Sequence, residues 1–469
     1  MLRIPVPAPG RRERAGVFHG SSDALGVAEL ALRARPLLVI TENAWHAQRL
    51  LEEIPFFAPQ LKVHIFPDWE TLPYDHFSPH HDLVSERLAT LYQLMHHAFD
   101  VAIVPVATAL YRLAPVEYLA ARTFFFKRGE KLAADELRRQ LTLAGYTHVT
   151  QVLAPGEYCF RGGLIDLFPT GSAVPYRIDL LDDEIESIRS FDVDTQRSIY
   201  KVNDVRLLPA REFPLDEAGQ TRFRRNFREK FEGDPSKSRV YKDVSKGIPT
   251  AGVEYYLPLF FDRSAIITEY LPQNTLVCLH GSLAEAVEQF WSDTHARYAV
   301  LRGDRANPVL PPHELFLTAD ELFGAIKPFA RVEFLLSPPP SPEEGGDGHQ
   351  RLPQNTRLTG ALRGTPHPPA ADAVTTPLPK LAIERRVDNP LHRLRDFLND
   401  FTGRTLILAE SQGRRETMLE FFAEYGFKPP VCNDFAEFTA AVEGVMLSAG
   451  PLAAGFIFPA GGFAVVTEN

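Results

Sequence analysis

Three short apolar runs, each separated from the next by a helical pattern, set the rhythm of the first quarter of the chain. Leu37-Leu38-Val39-Ile40 has the continuous apolar character of a strand buried on both faces, and a turn and a helix over about Ala44 to Ile54 follow it. Leu61 to Phe66 predicts a second such strand and Val101 to Val106 a third. Between these two, Asp82 to Ala98 carries Leu88, Leu91 and Leu94 at helical spacing. Strands alternating with helices predict a doubly wound α/β unit.

The pattern changes after about Arg122. From Tyr158 to Asp192 short strands are joined by polar turns at Thr170-Gly171-Ser172 and Asp182-Asp183. Within 174–181, alternation places Tyr176, Ile178 and Leu180 on one face and Arg177, Asp179 and Leu181 on the other. Residues 123–208 therefore predict an α+β insertion built on an antiparallel sheet. Helical and α/β patterns resume at about Pro209, with a buried strand at Thr275 to Leu279. Residues 337–380 hold ten of the 39 prolines together with Glu-Glu-Gly-Gly-Asp-Gly, a composition expected of a flexible linker. A small α/β unit over 381–469 follows, with helices at about Pro390 to Phe401 and Arg414 to Tyr425 and strands at Thr405 to Ala409 and Phe463 to Thr467. Its end directly after a strand suggests a cut chain. No internal repeat is visible.

Composition narrows the function class. A chain of 469 residues holds about two to four domains, and 45% hydrophobic content is ordinary for packed cores. A formal net charge of -10 argues against a protein that coats DNA irrespective of sequence. The three cysteines, Cys159, Cys278 and Cys432, form no C-x-x-C pair, so a reducing cytoplasm is expected, without a zinc ribbon or disulfide framework. Met1 to Gly20 lacks the apolar segment of a secretory signal, and no run of about 18 apolar residues predicts a membrane span.

Few residues propose chemistry on their own. His76, His80, His81, His96 and His97 are close in sequence but lack the spacing of a metal site, so no metal is expected. Asp182-Asp183-Glu184 fits a hairpin turn with an acidic rim. Arg222 to Arg228, with Phe223 and Phe227 four apart, predicts an amphipathic helix that offers a phosphate contact as a secondary reading. Arg161 and Arg177 are strand arginines, and Leu181 shares the outward face with Arg177. Taken alone, this pattern favours pairing with Asp166 or Asp179 on a solvated sheet over a protein interface. The dipeptide Gly-Lys never occurs, so the phosphate-binding lysine of G-x-x-x-x-G-K-[ST] is missing.

Three stretches carry a resemblance. They are Asp68 to His80 (DWETLPYDHFSPH) running on to Ser85-Glu-Arg-Leu-Ala-Thr-Leu91; Gly156 to Pro169 (GEYCFRGGLIDLFP) with Tyr176-Arg177, Asp182 to Ile185 and Phe191-Asp192; and Ala251 to Tyr256 (AGVEYY) leading to Tyr270-Leu-Pro272. Together they resemble the N-terminal half of the bacterial transcription-repair coupling factors, over about residues 17–335, a part itself similar to the excision-repair protein UvrB. The tail from about 381 resembles the small domain that follows in that family.

The resemblance implies an architecture and a role. Residues 1–122 and 209–336 become two parts of one degenerate helicase-like α/β domain, interrupted by the 123–208 insertion. The insertion is implied to bind UvrA through Arg161, Arg177 and Leu181, where the family commonly has an aromatic in place of Leu181. The phosphate loop falls on Val17 to Ala24, which puts Asp23 at the lysine position and Ala24 at the Mg²⁺-binding hydroxyl. Gly20, Ser21 and Ser22 complete the loop, and His280-Gly281 replaces the acidic pair after the later strand. A carboxylate facing phosphate is repulsive and Ala cannot hold Mg²⁺. The implied reading is a chain that is not an enzyme and has no cofactor of its own, acting as an ATP-independent recruiter of UvrA to stalled RNA polymerase. ATP, Mg²⁺, double-stranded DNA and RNA polymerase would then belong to a C-terminal motor absent here, which the chain contacts intramolecularly. Two alternatives are an autoinhibitory module restraining that motor and an active UvrB-type damage-verifying ATPase. Aromatic stacking of Trp69, Tyr74 and Phe77 on bases is a lesser possibility than packing of their loop onto the domain. The role of 381–469 and the oligomeric state stay open.

Overall fold

The structure is a computed structural model that describes residue 2 and residues 4–337, 375–381, 389–442 and 444–468. In the first part of the chain, strands β1 (Arg12–Phe18), β2 (Leu37–Thr41), β3 (Val63–Ile65) and β4 (Val101–Pro105) alternate with helices α1 (Ser22–Arg33), α2 (Ala44–Phe57) and α3 (His81–Met95). The insertion contributes β5 (Phe124–Lys127), β6 (Thr147–His148), β7 (Glu157–Arg161), β8 (Leu164–Phe168), β9 (Tyr176–Leu181), β10 (Glu184–Phe191), β11 (Ser198–Val202) and β12 (Asp204–Leu207). The chain then returns to the first sheet with β13 (Leu276–His280) and β14 (Ala330–Leu336). The final unit holds β15 (Arg404–Ala409), β16 (Val445–Ala449), β17 (Phe456–Phe458) and β18 (Phe463–Thr467).

The first sheet has the order β1-β14-β13-β2-β4-β3 and is parallel throughout. Its strands are apolar on both faces because both faces are covered. Leu38, Ile40, Ala102, Val104 and Val277 face one core, with Trp69, Leu88, Tyr255 and Phe260. Leu37, Val39, Ile103, Cys278 and Val332 face the other, with Leu30, Leu50 and Ile54 from α1 and α2. Ala47, Leu50 and Ile54 recur along one stripe of α2, whose N-terminus is capped by the Asn43 side chain accepting from His46 N–H. The expected strand at Leu61 to Phe66 is narrower, Val63–Ile65, because it lies at the sheet edge with β4 as its sheet neighbour.

The insertion leaves and rejoins this domain through one ladder: β5 pairs antiparallel with β12, Phe124 opposite Leu207. Its main sheet runs β11-β10-β9-β8-β7-β6. The expected alternation is present, with Ile178 buried and Tyr176 and Leu180 packed against the insertion core. In the final unit β15 lies between β16 and β18, parallel to both, and β17 closes the edge antiparallel. Of the expected linker, residues 338–374 lie outside the described residues. At its far end Thr376 exchanges two backbone hydrogen bonds with Ile457 and so joins the final unit. The second core of the first domain continues without a break into this unit, through Leu406, Leu408, Phe435, Leu452 and Phe456.

The segment Asp68 to His80 is anchored by a buried charge. Arg87, fully buried on α3, gives Nε to Glu212 Oε1 at 2.6 Å, Nη2 to Glu212 Oε2 at 3.2 Å and Nη1 to Pro67 O at 2.7 Å, and Trp69 Nε1 shares Glu212 Oε1 at 3.0 Å. The guanidinium also lies over the Phe66 and Trp69 rings. Trp69 is thereby buried, Tyr74 is buried with its hydroxyl on Leu310 O at 2.9 Å, and Phe77 alone of the three aromatics is exposed, at 72%. The packing reading of that loop holds for the first two. Among the described residues no helix is long and apolar enough to cross a membrane.

Two outcomes follow from these buried charges. Arg87→Met leaves Glu212 charged without its partner and should lower unfolding free energy by about 3–5 kcal/mol in a urea titration. Burial pushes the Glu254 carboxyl up to about 7 against the pull of the Ser78 hydroxyl. A raised carboxyl pKa contributes stability below the unfolded value of 4.5 that is lost as pH rises through about 7. Glu254→Gln should therefore remove that slope and exceed the parent at pH 8 by about 1–3 kcal/mol, measured by melting across pH 5 to 8.

Candidate functional site

The C-terminal ends of the parallel strands form the crevice where folds of this kind bind ligands. Around it stand the loop after β1, the start of α1, the inner face of α2 and the end of β13. Gly20 adopts φ +54°, Ser21 and Ser22 open α1, and Asp23 points inward, fully buried. Arg49 from α2 takes both Asp23 oxygens, Nη1 to Oδ1 at 2.9 Å and Nη2 to Oδ2. His280 at the end of β13 places Nε2 2.7 Å from Asp23 Oδ2. Arg49 Nη1 also reaches Glu53 Oε2 at 2.6 Å, and Glu53 Oε1 accepts from the Ser21 hydroxyl at 2.7 Å.

Burial opposes charge on Asp23, but Arg49 and His280 outweigh it and hold the carboxyl well below its ordinary range. Glu53 has the opposite balance: burial, with the Asp23 charge added, exceeds the pull of Arg49 and raises it to about 7. Ala24 carries no hydroxyl and is buried in the helix. Beside His280, the backbone of Gly281 (φ +84°) passes so close to Glu42 that a Cβ would lie 2.4 Å from its Oε2, and Ser282 N–H donates to that oxygen at 2.8 Å. Each position of the expected degenerate site is thus brought to one place. Its charge is two carboxylates sharing one guanidinium, with the Ser21 N–H already used by Ala454 O at 2.9 Å. Asp23, His46 and His280 offer ligand-type atoms within 4.8 Å of one another, yet Arg49 already sits on both Asp23 oxygens.

Sequence reasoning did not find Arg49 or Glu53. The signal was present: an i,i+4 Arg/Glu pair on α2 adjoining the stripe Ala47, Leu50 and Ile54, where a buried pair needs a partner from elsewhere.

On the insertion sheet the three predicted partner residues separate into two kinds. Arg177 is tied down: Nε and Nη2 reach the two oxygens of buried Asp166 at 2.7 and 2.9 Å, Nη1 reaches Gln196 O at 3.2 Å, and the guanidinium lies over Phe191. Its neighbour in the β9–β10 ladder, Arg189, engages Asp179. Pairing within the sheet, the reading the residues alone favour, describes Arg177. Arg161 and Leu181 differ. Arg161 is exposed at the end of β7, with Nη2 on Thr150 O at 3.0 Å, and Leu181 is 64% exposed beside the β9–β10 turn. Register puts both at the same end of the sheet: Arg161 pairs with Leu164, Leu164 with Asp179, and Leu181 lies two residues beyond. Asp182 at the turn takes φ +52°, the turn chemistry expected of that acidic run.

The remaining candidates are satisfied locally. Within the helix Glu217–Lys230, Arg222 and Arg225 pair with Asp262 and Lys230 with Glu314, while Phe223 and Phe227 are buried. His80 Nδ1 lies 3.2 Å from Asp82 Oδ2 on the surface, with the His81 ring tilted against that of His80.

Comparison with known proteins adds to this geometry. Residues 124–213 match the family described as the UvrB interaction domain, and residues 397–469 match the family described as MFD, D3 domain. The chain is 40% identical over 468 residues, 99% of its own length, to the transcription-repair-coupling factor of Escherichia coli K12, of which it covers 38%. It is 37% identical over 433 residues to that of Haemophilus influenzae, covering 91% of this chain and 35% of the relative, and 30% identical over 349 residues to that of Myxococcus xanthus. The chain thus spans less than two fifths of the length of the first two relatives.

The split on the sheet has a measurable consequence. Arg177→Ala strands the buried Asp166 carboxylate and should destabilise the insertion by about 2–4 kcal/mol in chemical denaturation. Arg161→Ala, at an exposed position, should stay within about 0.5 kcal/mol of the parent.

Proposed function

We propose that this chain, which corresponds to the N-terminal region of the transcription-repair-coupling factors, recruits UvrA to sites of transcription-coupled nucleotide excision repair through its insertion domain. The observation that carries the reading is the exposed Arg161/Leu181 end of a sheet that matches the UvrB interaction domain. A guanidinium and an exposed branched aliphatic side chain at the same end of one sheet suit an interface anchor, since one supplies directed hydrogen bonds and the other apolar area. Arg177 supports that end from within the sheet: by fixing Asp166 and the 196 loop it sets the position of β9, and so of Leu181.

Recruitment by this chain needs no nucleotide. Asp23 stands at the lysine position with Arg49 already bound to it and to Glu53, and neither a lysine nor a hydroxyl stands where a polyphosphate and its Mg²⁺ would require them. ATP, Mg²⁺, double-stranded DNA and RNA polymerase are assigned to the remainder of a full-length family member, whose translocase would bring the insertion domain to the lesion.

The test is binding of the purified chain to UvrA without ATP, by fluorescence anisotropy. Arg161→Ala/Leu181→Asp should weaken binding at least about tenfold with melting temperature unchanged. A parent chain that does not bind would sink recruitment by this region, and full binding by the double variant would move the interface away from this end of the sheet.

A further inference from the structure

The loop after β1 and Glu53 of the Arg49–Glu53 pair beside it contact the final unit directly. The segment 451–455 of that unit lies against the loop. Ser21 N–H donates to Ala454 O at 2.9 Å, and Ala454 N–H returns a bond to Ser21 Oγ at 3.2 Å. Ala453 N–H donates to Glu53 Oε1 at 2.8 Å, the same oxygen that accepts from the Ser21 hydroxyl. Thr375, which precedes the Thr376–Ile457 pairing, reaches the other side: its hydroxyl lies 2.8 Å from Ser22 Oγ and 3.1 Å from His19 N. Close approach is enforced by small residues. A Cβ on Gly20 would lie 2.3 Å from Gly455 O, and one on Gly450 would lie 2.5 Å from the Phe56 ring.

Beside these bonds runs an apolar seam, Phe56 and Phe57 of α2 against Phe435, with ring centroids 5.9 and 4.9 Å apart. Leu452 is buried in the same continuous core. Backbone N–H groups opening a helix and a serine hydroxyl are what a phosphate loop offers an anion. Here they receive a peptide carbonyl and a carboxylate of the protein itself.

We infer that the crevice that holds nucleotide phosphates in related architectures serves in this chain as a receptor for the main chain of residues 451–455, so that the final unit is its ligand. On this assignment the substitutions in the loop are adaptations to a new occupant. Glu53 provides the acceptor for Ala453 N–H, Arg49 neutralises Glu53 in the dry site, Asp23 holds Arg49, and Gly20 leaves room for the incoming carbonyls. The inference is independent of UvrA binding, because it concerns neither the insertion nor its exposed end.

The experiment is small-angle scattering of the intact chain, with a donor–acceptor pair on α2 and the final unit, applied to two variants that attack the contact from opposite sides. Gly20→Val alters the receptor, and Gly450→Leu, directly before the occupying segment, pushes it away from Phe56 of α2. Gly413→Ala, where a Cβ meets nothing within 4 Å, is the control. Each clamp variant should raise the radius of gyration by more than a tenth above the roughly 23 Å of a compact chain this size, lower transfer efficiency, and give the final unit its own unfolding transition. If either variant is well folded yet as compact as the control, the crevice is not what holds the unit. If the parent's compactness depends on protein concentration and falls with its mass on dilution, the contact forms between copies and the intramolecular assignment is wrong. Should Gly20→Val unfold the first domain, Gly450→Leu still decides, because the atoms nearest an added Cβ there belong to the Phe56 ring of α2.

Discussion

Arg49 has two carboxylates to satisfy and almost no water around it. Asp23 takes both of its terminal nitrogens, Glu53 takes a second bond from one of them, and His280 completes Asp23 from the neighbouring strand. In a low-dielectric site each of these groups alone would be strongly unfavourable, so they stand or fall together. The arrangement connects α1, α2 and β13 at the point where the parallel sheet opens. Through Glu53 and Ser21 it extends to the final unit. The relation of the first domain to the last therefore depends on a charge network at the spot where a motor domain of similar build would bind its fuel.

A second buried arginine does the same work elsewhere. Arg87 and Glu212 join α3 to the chain just after the insertion, and Trp69 shares the Glu212 carboxylate. The insertion is thus held by the β5–β12 ladder at its base and by this pair beside it, while its far end stays free. The exposed end carries Arg161 and Leu181, while Arg177 and Arg189 are paired within the sheet to Asp166 and Asp179.

Much of the fold was legible in the sequence. Apolar runs such as Leu37 to Ile40 and Val101 to Pro105 are strands because a parallel sheet covered on both faces needs apolar side chains on both, and no helix surface demands four in a row. The alternation at 174–181 fixed which side of β9 faces the core. The missing Gly-Lys and the motifs at Asp68–His80 and Gly156–Pro169 carried the family resemblance that the comparisons bear out. The candidate site was legible as a set of positions: Gly20 to Ala24 and His280-Gly281 do converge.

What the loop positions now hold was decided by tertiary structure. Asp23 in sequence is only an acid where a lysine should be; that it is buried against Arg49 depends on α2 packing across α1, which no local pattern encodes. Arg161 and Arg177 look alike in sequence, each a strand arginine near an acid. Register separates them, because it sets Asp166 directly opposite Arg177 and leaves Arg161 at a strand end. Burial and register are properties of the whole chain, arising from contacts between residues tens or hundreds of positions apart. The sequence by itself determined the elements and the family resemblance; the assembled structure alone decided which of its charges are spent inside and which stay exposed.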